Sequence, residues 1–318
     1  MSFNGHSSEP LVNISLYTHP DCEFHEMPGH PERPDRLRSV MQRLNESGLT
    51  GDLSMIMAEE IDTATLQLIH RPEYVKHIAA CEPTNDIIKV EPDTYMSPGS
   101  LRACKLAAGA CVSATREVLA GRVKRVFCAI RPPGHHAEIA AAMGFCLFNN
   151  IALAAEVGLK DPNVNRVAIV DFDVHHCNGT VDIFKDRPEV LVCSSFQDHF
   201  YPYRYLDYTN DHILNMPLEA GTDGGHFRKR VEREWLPALA AYRPDLLLVS
   251  AGFDAHARDP LGELLFNESD YAWITAQLVG VADQYCQGRL VSTLEGGYDL
   301  GALADSVEVH VATLIKGS

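Results

Sequence analysis

Six short apolar runs rich in β-branched residues constrain this chain more than any other feature: residues 12–17, 126–130, 167–170, 190–193, 246–250 and 290–294. The inner runs are apolar on both faces rather than alternating, which is the pattern of a parallel sheet covered by helices on each side. Helix-like stretches lie between them, at residues 34–46, 72–81, 98–119, 150–157, 225–241, 269–287 and 300–315. Pro34, Pro72 and Pro98 fall where a first helical turn tolerates proline. The expected architecture is α/β: a single domain over residues 1–318, doubly wound, with a mostly parallel sheet and helices on both faces. A chain of 318 residues, 46% of them hydrophobic, can bury one large core of this kind.

In open parallel sheets, ligands bind beyond the carboxyl ends of the strands. Five of the runs pass there directly into polar or glycine-rich segments. These are Arg131-Pro-Pro-Gly-His135-His136, Asp171-Phe-Asp173-Val-His175-His176, Ser194-Ser195, Ala-Gly-Phe-Asp254 and Glu295-Gly-Gly-Tyr298. Carboxylates, imidazoles and a tyrosine therefore gather along one rim.

Composition narrows the partners. The formal charge is −16, which argues against a nucleic-acid surface and is compatible with cationic substrates. The nine cysteines form no CxxC pair, and several (Cys128, Cys146, Cys193) sit in apolar runs, as free buried thiols do. That suits a reducing compartment. The sequence carries no recognisable signal peptide and no apolar stretch long enough to span a membrane, so a cytoplasmic protein is expected.

Asp173 and His175 are two apart beyond an apolar strand, so extended backbone would turn both side chains toward one ion. Asp254, at the end of another strand, supplies a third ligand. One imidazole and two carboxylates with an open position describe a catalytic zinc site, and the oxygen-rich set would also accept iron(II) or cobalt(II). His135-His136 follows a stiff Pro-Pro-Gly turn that fixes both rings for acid–base work. Asp171 and Asn178 are the available partners for the second ring nitrogen. Tyr298 follows two glycines that let the backbone approach a ligand, and its hydroxyl could stabilise an oxyanion.

The order and wording of these motifs resemble the histone deacetylase superfamily, including the bacterial deacetylase-like and acetylpolyamine amidohydrolases. The likeness begins at Gly29-His-Pro-Glu-Arg-Pro-Asp-Arg36-Leu and His70-x-x-x-Tyr74-Val. It continues through Arg131-Pro-Pro-Gly-His-His136, Gly144-Phe-Cys-x-Phe-Asn149 and Asp171-Phe-Asp-Val-His-His176. Asn178-Gly-Thr, Ser250-Ala-Gly-Phe-Asp254, Asp259-Pro-Leu-Gly and Leu294-Glu-Gly-Gly-Tyr298 complete it. Asn178 is similar to the class II branch, since class I relatives usually carry aspartate there.

The resemblance implies an arginase/deacetylase-like fold and one zinc ion per chain on Asp173, His175 and Asp254. It implies His136 as the main general base and acid, supported by Asn178, and an electrostatic His135 backed by Asp171. Tyr298 would polarise the acyl carbonyl. On the substrate side it implies Phe145 and Tyr201 as facing walls, Gly144 beside them, Asp93 at the rim and Arg36 in a cavity behind the metal. A structural potassium would sit at Asp171, Asp173, His175, Ser194 and Ser195. The implied activity is removal of an acyl group from lysine side chains of peptides or proteins. Alternatives are an acetylpolyamine or other small N-acyl amine, a weakly catalytic acyl-lysine-binding protein, and an arginase-like binuclear manganese hydrolase. Homo-oligomerisation is left open.

Two departures stand out. Cys177 occupies a position where relatives usually have glycine. The usual Tyr-Pro-Gly-Thr-Gly loop is replaced by an aromatic segment at residues 201–208, which is expected to reshape the channel mouth. Tyr298 is retained. Outside the site, His6, His19, His212, His226 and His310 are expected to be solvated or locally bonded, His176 to pack beneath its loop and His256 to support the site rather than bind metal. His25 and His30 lie in an N-terminal loop that could reach substrate.

Overall fold

A computed structural model describes residues 14–317. Residues 12 and 13 of the expected first strand, and His6, lie outside the described residues. In chain order the elements are β1 (Ile14–Thr18), α1 (Asp35–Glu46), β2 (Ser54–Met57), α2 (Thr63–Leu66), α3 (Pro72–Ala80), β3 (Ile88–Glu91), β4 (Thr94–Met96) and α4 (Ser100–Leu119). They continue with β5 (Arg125–Cys128), α5 (Asn150–Leu159), β6 (Val167–Asp171), α6 (Asn178–Phe184), β7 (Val190–Gln197) and β8 (Ile213–Leu218). The last are α7 (Gly224–Tyr242), β9 (Leu246–Ala251), α8 (Glu268–Tyr285), β10 (Leu290–Leu294) and α9 (Leu300–Lys316).

Eight strands form one sheet in the order β2-β1-β5-β10-β9-β6-β7-β8. Every pairing in it is parallel. Its inner strands β5, β6, β7, β9 and β10 are buried at each position, as their largely apolar sequences favour. Helices α4, α5 and α6 pack as one layer, and α1, α9, α8 and α7 as the other. The expected doubly wound architecture is therefore present. A small antiparallel hairpin, β3–β4, stands apart from the main sheet.

Two edge strands, the β3–β4 hairpin and two short helices were not anticipated. β2 alternates between half-buried and exposed positions, and β8 contains Pro217, which an edge strand accommodates because one side needs no ladder donor. Neither carries the continuous apolar run of a central strand. α6 opens on Asn178-Gly-Thr, which reads as a loop until tertiary packing buries it.

Sheet order places the functional rim. The central run β5-β10-β9-β6-β7 brings the segments after each strand side by side, and Asp171 lies in register with Ser250 on one neighbour and Ser194 on the other. Among the described residues no helix is long and apolar enough to cross a membrane.

His310 is a correction. It is neither solvated nor bonded within its own segment: it is buried in the α8–α9 layer, with Nδ1 2.6 Å from Thr275 Oγ1 and Nε2 2.9 Å from Ser292 Oγ, both on other elements. Burial lowers its pKa to about 3, and that of His70 to about 4. The tautomer of His70 is fixed, because Nε2 accepts from the Asn149 N–H and Nδ1 donates to the Glu138 carbonyl. The unfolded chain takes up protons on both histidines near pH 6.5, whereas the native protein resists until about pH 4 or lower. The unfolded state thus binds more protons across that window, so stability is full above pH 6.5 and falls as the pH drops toward 4. The denaturant midpoint should decline over this range, and less steeply in His310→Gln. An equal slope in that variant would show that His310 does not contribute.

Candidate active site and metal cradle

Three buried side chains meet at the centre of the rim. Asp173 and His175 follow β6, Asp254 follows β9, and one donor atom from each lies within 4.8 Å of the others. Nδ1 of His175 sits 2.9 Å from Asp173 Oδ1 and 3.2 Å from Asp254 Oδ2. That Asp254 oxygen is buried and accepts no hydrogen bond. The remaining oxygens are tied to backbone. Asp254 Oδ1 accepts from the Val174 N–H at 2.8 Å, and Asp173 Oδ2 from the Gly296 N–H at 2.8 Å.

Glycine makes room for this cluster. A Cβ on Gly296 would lie 1.9 Å from Asp254 Oδ2, and one on Gly252 would lie 2.1 Å from Asp173 Oδ2. Two carboxylates buried together repel each other and cost much desolvation energy, so the site favours a positive charge between them. The pKa shifts express this. Burial pushes Asp254 up to about 7, with Asp173 adding repulsion, while burial of His175 is outweighed by its two carboxylate partners, which raise it to about 10. An orphaned buried oxygen, a side-chain-free pocket and two carboxylates with one imidazole all fit a divalent metal. Among the described residues this is the one cluster with such geometry.

The histidine pair sits beside the cradle. The turn that carries it is locked by Glu295, which accepts from the N–H groups of Gly134 at 2.7 Å and His135 at 3.2 Å and from Ser250 Oγ at 3.0 Å. His135 Nδ1 donates to Asp171 Oδ2 at 2.9 Å, and His136 Nδ1 is 2.6 Å from Asn178 Oδ1. The two candidate partners thus divide between the two rings. Burial lowers both histidines. For His135 the charges of Asp171 and Asp173 overcome it and raise the pKa well above the ordinary value. For His136 the positive charges of His135 and His175 add to burial, and it falls well below. The two rings are thus driven in opposite directions, His135 toward the protonated form and His136 toward a neutral proton acceptor, a separation typical of acid–base sites.

A pocket of about 460 Å³ opens over these groups, lined by His136, His175 and Tyr298 at its base and by Phe145, Phe200, Tyr201 and Leu261 on its walls. Phe200, which sequence reasoning missed, stacks on His175 at 5.5 Å, while Tyr201 meets both His136 and His175 edge-on. Asp93 also lines the pocket. Its carboxylate accepts from Tyr201 Oη at 2.6 Å, Thr94 Oγ1 at 2.9 Å and the Gly144 N–H at 3.2 Å. Three of roughly four acceptor sites are thus committed to pinning the wall together. Gly144 has φ +53°, and a Cβ there would lie 2.2 Å from the His136 ring.

Arg36, expected in a cavity behind the metal, is not among the residues that line this pocket. It lies fully buried behind Tyr298, with its guanidinium 4.9 Å from the ring centre and hydrogen bonds to the carbonyls of Gly297 and Glu295 and to Glu32. Burial raises the Tyr298 hydroxyl well above its ordinary pKa against the pull of Arg36, so it remains a donor. Ser194 and Ser195 lie in β7 beside Asp171, and Ser194 Oγ is buried without a hydrogen-bond partner.

Cys177 needs no glycine-like backbone, because its φ is −78°, and its thiol is buried. His176 bonds Asn215 at 3.0 Å, and His256 is held by Glu268 at 3.3 Å outside the cradle. His25 is buried against Ser100, while His30 packs on the outside of Phe145 at 4.5 Å.

Residues 30–314 match the Histone deacetylase domain family. The chain belongs to the histone deacetylase family. It is 36% identical to Histone deacetylase 15 of Arabidopsis thaliana over 94% of this chain and 55% of that protein. It is 37% identical to the Histone deacetylase-like amidohydrolase of Pseudomonas aeruginosa over 85% of this chain and 73% of that one. Polyamine deacetylase HDAC10 of Homo sapiens is 33% identical over 94% of this chain and 46% of its own length. The chain therefore spans about half the length of the plant and human relatives. The crystal structure of the HDA15 HD domain superposes with a TM-score of 0.91 at 34% identity, covering 96% of this chain and 91% of that one.

The two cradle glycines make the metal-binding geometry testable. Gly296→Ala should lower divalent-metal affinity roughly tenfold or more, as loss of supporting geometry does, measured by metal content after dialysis against graded chelator. Gly280→Ala, on α8 with open space around it, should leave metal content unchanged. Equal metal retention in both variants would show that the cradle is not the binding site.

Proposed function

We propose that this chain is a zinc-dependent deacetylase that hydrolyses an N-acyl, in the first instance N-acetyl, amide of lysine side chains in peptides or proteins. The observation that carries the proposal is the convergence of three things on one pocket: His136 with its Nδ1 engaged by Asn178, the Tyr298 hydroxyl, and the Asp173–His175–Asp254 cradle through its His175. One zinc ion per chain would be held by those three residues. When bound, it supplies a Lewis acid that polarises a carbonyl and acidifies water. A structural potassium at Asp171, Asp173, His175, Ser194 and Ser195 belongs to the same proposal.

The chain's own residues supply the remaining chemistry. His136 takes the proton of the attacking water on Nε2, because Nδ1 faces Asn178, and returns it to the leaving amine. The Tyr298 hydroxyl donates to the oxyanion that forms at the former carbonyl. His135, charged against Asp171, adds fixed positive potential and keeps His136 neutral. Phe145, Phe200 and Tyr201 exclude water and flank the acyl-amine stem, and Gly144 admits the His136 ring. Asp93 holds the wall and has one acceptor site left for a substrate N–H.

A second substrate class is favoured by one observation. Glu263, exposed at the pocket, places a carboxylate where a charged amine of an acetylated polyamine would pass. A weakly catalytic binding protein fits less well, because binding alone requires neither His136 nor Tyr298. A binuclear site fits poorly, because Asp171 is already committed to His135 and to the Asp173 N–H.

Tyr298→Phe should lower kcat roughly 10²–10³-fold with zinc content unchanged, assayed on an acetyl-lysine peptide and an acetylated polyamine in parallel. Wild-type turnover of neither substrate would refute the deacetylase reading, as would full activity in Tyr298→Phe. The ratio of the two kcat/KM values assigns the substrate class.

A further inference from the structure

The segment that departs most from the family pattern, residues 201–208, is tied to the proposed base by side chains on neither end of the metal site. Asn215 on β8 donates to the carbonyls of Tyr205, Leu206 and Tyr208 at 2.9, 3.2 and 2.9 Å, which folds the loop around one amide. Tyr205 Oη donates to Asp182 of α6 at 2.8 Å, and Tyr208 Oη to the Lys185 carbonyl at 3.2 Å. This anchoring fixes Arg204 over the end of the histidine turn. One Arg204 nitrogen lies 3.1 Å from Glu138 Oε2. The other Glu138 oxygen accepts from Asn178 Nδ2 at 2.8 Å, and Asn178 Oδ1 is the group 2.6 Å from His136 Nδ1.

The chemistry of these four groups runs in one direction. An ionised carboxylate only accepts, so Glu138 must face the NH2 end of the Asn178 amide. That turns the amide oxygen toward His136, and an oxygen there requires the hydrogen on Nδ1. Nε2 is then left bare on the pocket side, as a base needs. A neutral Glu138 could donate instead, which would leave only the longer bond of Asn178 Nδ2 to the His136 carbonyl, at 3.3 Å, holding the amide against a reversal that presents its NH2 to the ring. Burial pushes the Glu138 carboxyl above its ordinary range, and Asn178 and Arg204 are what pull it back.

We propose that Glu138, held by Arg204 of the 201–208 loop, is a positioning residue that sets the His136 tautomer through Asn178, so that this loop governs the rate of proton transfer as well as the shape of the mouth. The inference rests on the reading of His136 as base. Arg204 is half-exposed, so its replacement leaves the core intact.

The test uses the full chain with zinc added. Glu138→Ala should lower kcat roughly 10–100-fold, the usual cost of losing an outer hydrogen-bond partner, with KM and zinc content unchanged. Arg204→Ala should give a smaller loss in kcat, and Arg204→Lys should restore it. The double variant should be no slower than Glu138→Ala alone, since residues acting in series are not additive. Nitrogen-15 NMR of the imidazoles, with His136 assigned from His136→Gln, should show the proton on Nδ1 in the wild type and a redistribution to Nε2 in Glu138→Ala. Unchanged kcat in Glu138→Ala, a loss confined to KM, or a wild-type proton on Nε2 would each overturn the proposal. If the wild type hydrolyses no acyl amine, the functional reading fails, and the NMR comparison still decides this one.

Discussion

Two buried carboxylates a few ångströms apart are the constraint around which this structure is organised. Asp173 and Asp254 are each almost fully removed from water, and among the described residues no lysine or arginine forms an ion pair with either. Such a pair is tolerable only if a cation sits between them, whether a proton on His175 or a metal ion. Glycines at 252 and 296 keep any side chain from filling the space, and backbone N–H groups of Val174 and Gly296 hold the oxygens that face away from it. The fully parallel sheet is what makes the arrangement possible. It ends five neighbouring strands at one level, so that residues far apart in sequence, such as Asp173 and Asp254, emerge side by side.

The same buried charge organises the histidines. A carboxylate at Asp171 stabilises a proton on His135, and that cation together with positive charge in the cradle suppresses protonation of His136. A metal in the cradle would act on His136 in the same sense as the charge on His175. Two adjacent residues of identical chemistry are thus driven in opposite directions, with a carboxylate as second partner for one and an amide for the other. An aspartate in place of Asn178 would blur that distinction by favouring a cation at His136 as well.

Much of this was legible in the sequence, for physical reasons that can be named. Central parallel strands must be apolar on both faces, so β6, β7, β9 and β10 announced themselves as runs, and the polar residues after them marked the rim. Edge strands face water on one side, and β2 and β8 accordingly lacked the signal. Metal donors have few structural substitutes, so Asp173, His175 and Asp254 were readable as a set. Phe200 was not, because an aromatic residue beside Tyr201 carries no mark of which ring will stack on the imidazole. His310 read as ordinary because burial of a neutral histidine depends on Thr275 and Ser292, which no local pattern links to it. Glu295 was visible only as part of a Gly-Gly-Tyr motif. Its work in pinning the Pro-Pro-Gly-His turn depends on β10 lying beside β5, and only the sheet order reveals that.

The loop at residues 201–208 shows where variation can enter such a site. The cradle cannot change without leaving a buried charge uncompensated, and the turn bearing His135 and His136 is clamped on one side by Glu295 and on the other by Gly144. What remains free to vary is the surface segment over the mouth, and here it has become aromatic. Because its anchors are Asn215 and α6, and α6 begins with Asn178, a change in the loop is mechanically continuous with the amide that holds His136. Selection acting on the mouth for a new acyl amine would therefore also act on the orientation of the proposed base. On the proposed role of Glu138, rate and specificity would be coupled in this chain through hydrogen bonds that lie outside the metal cradle.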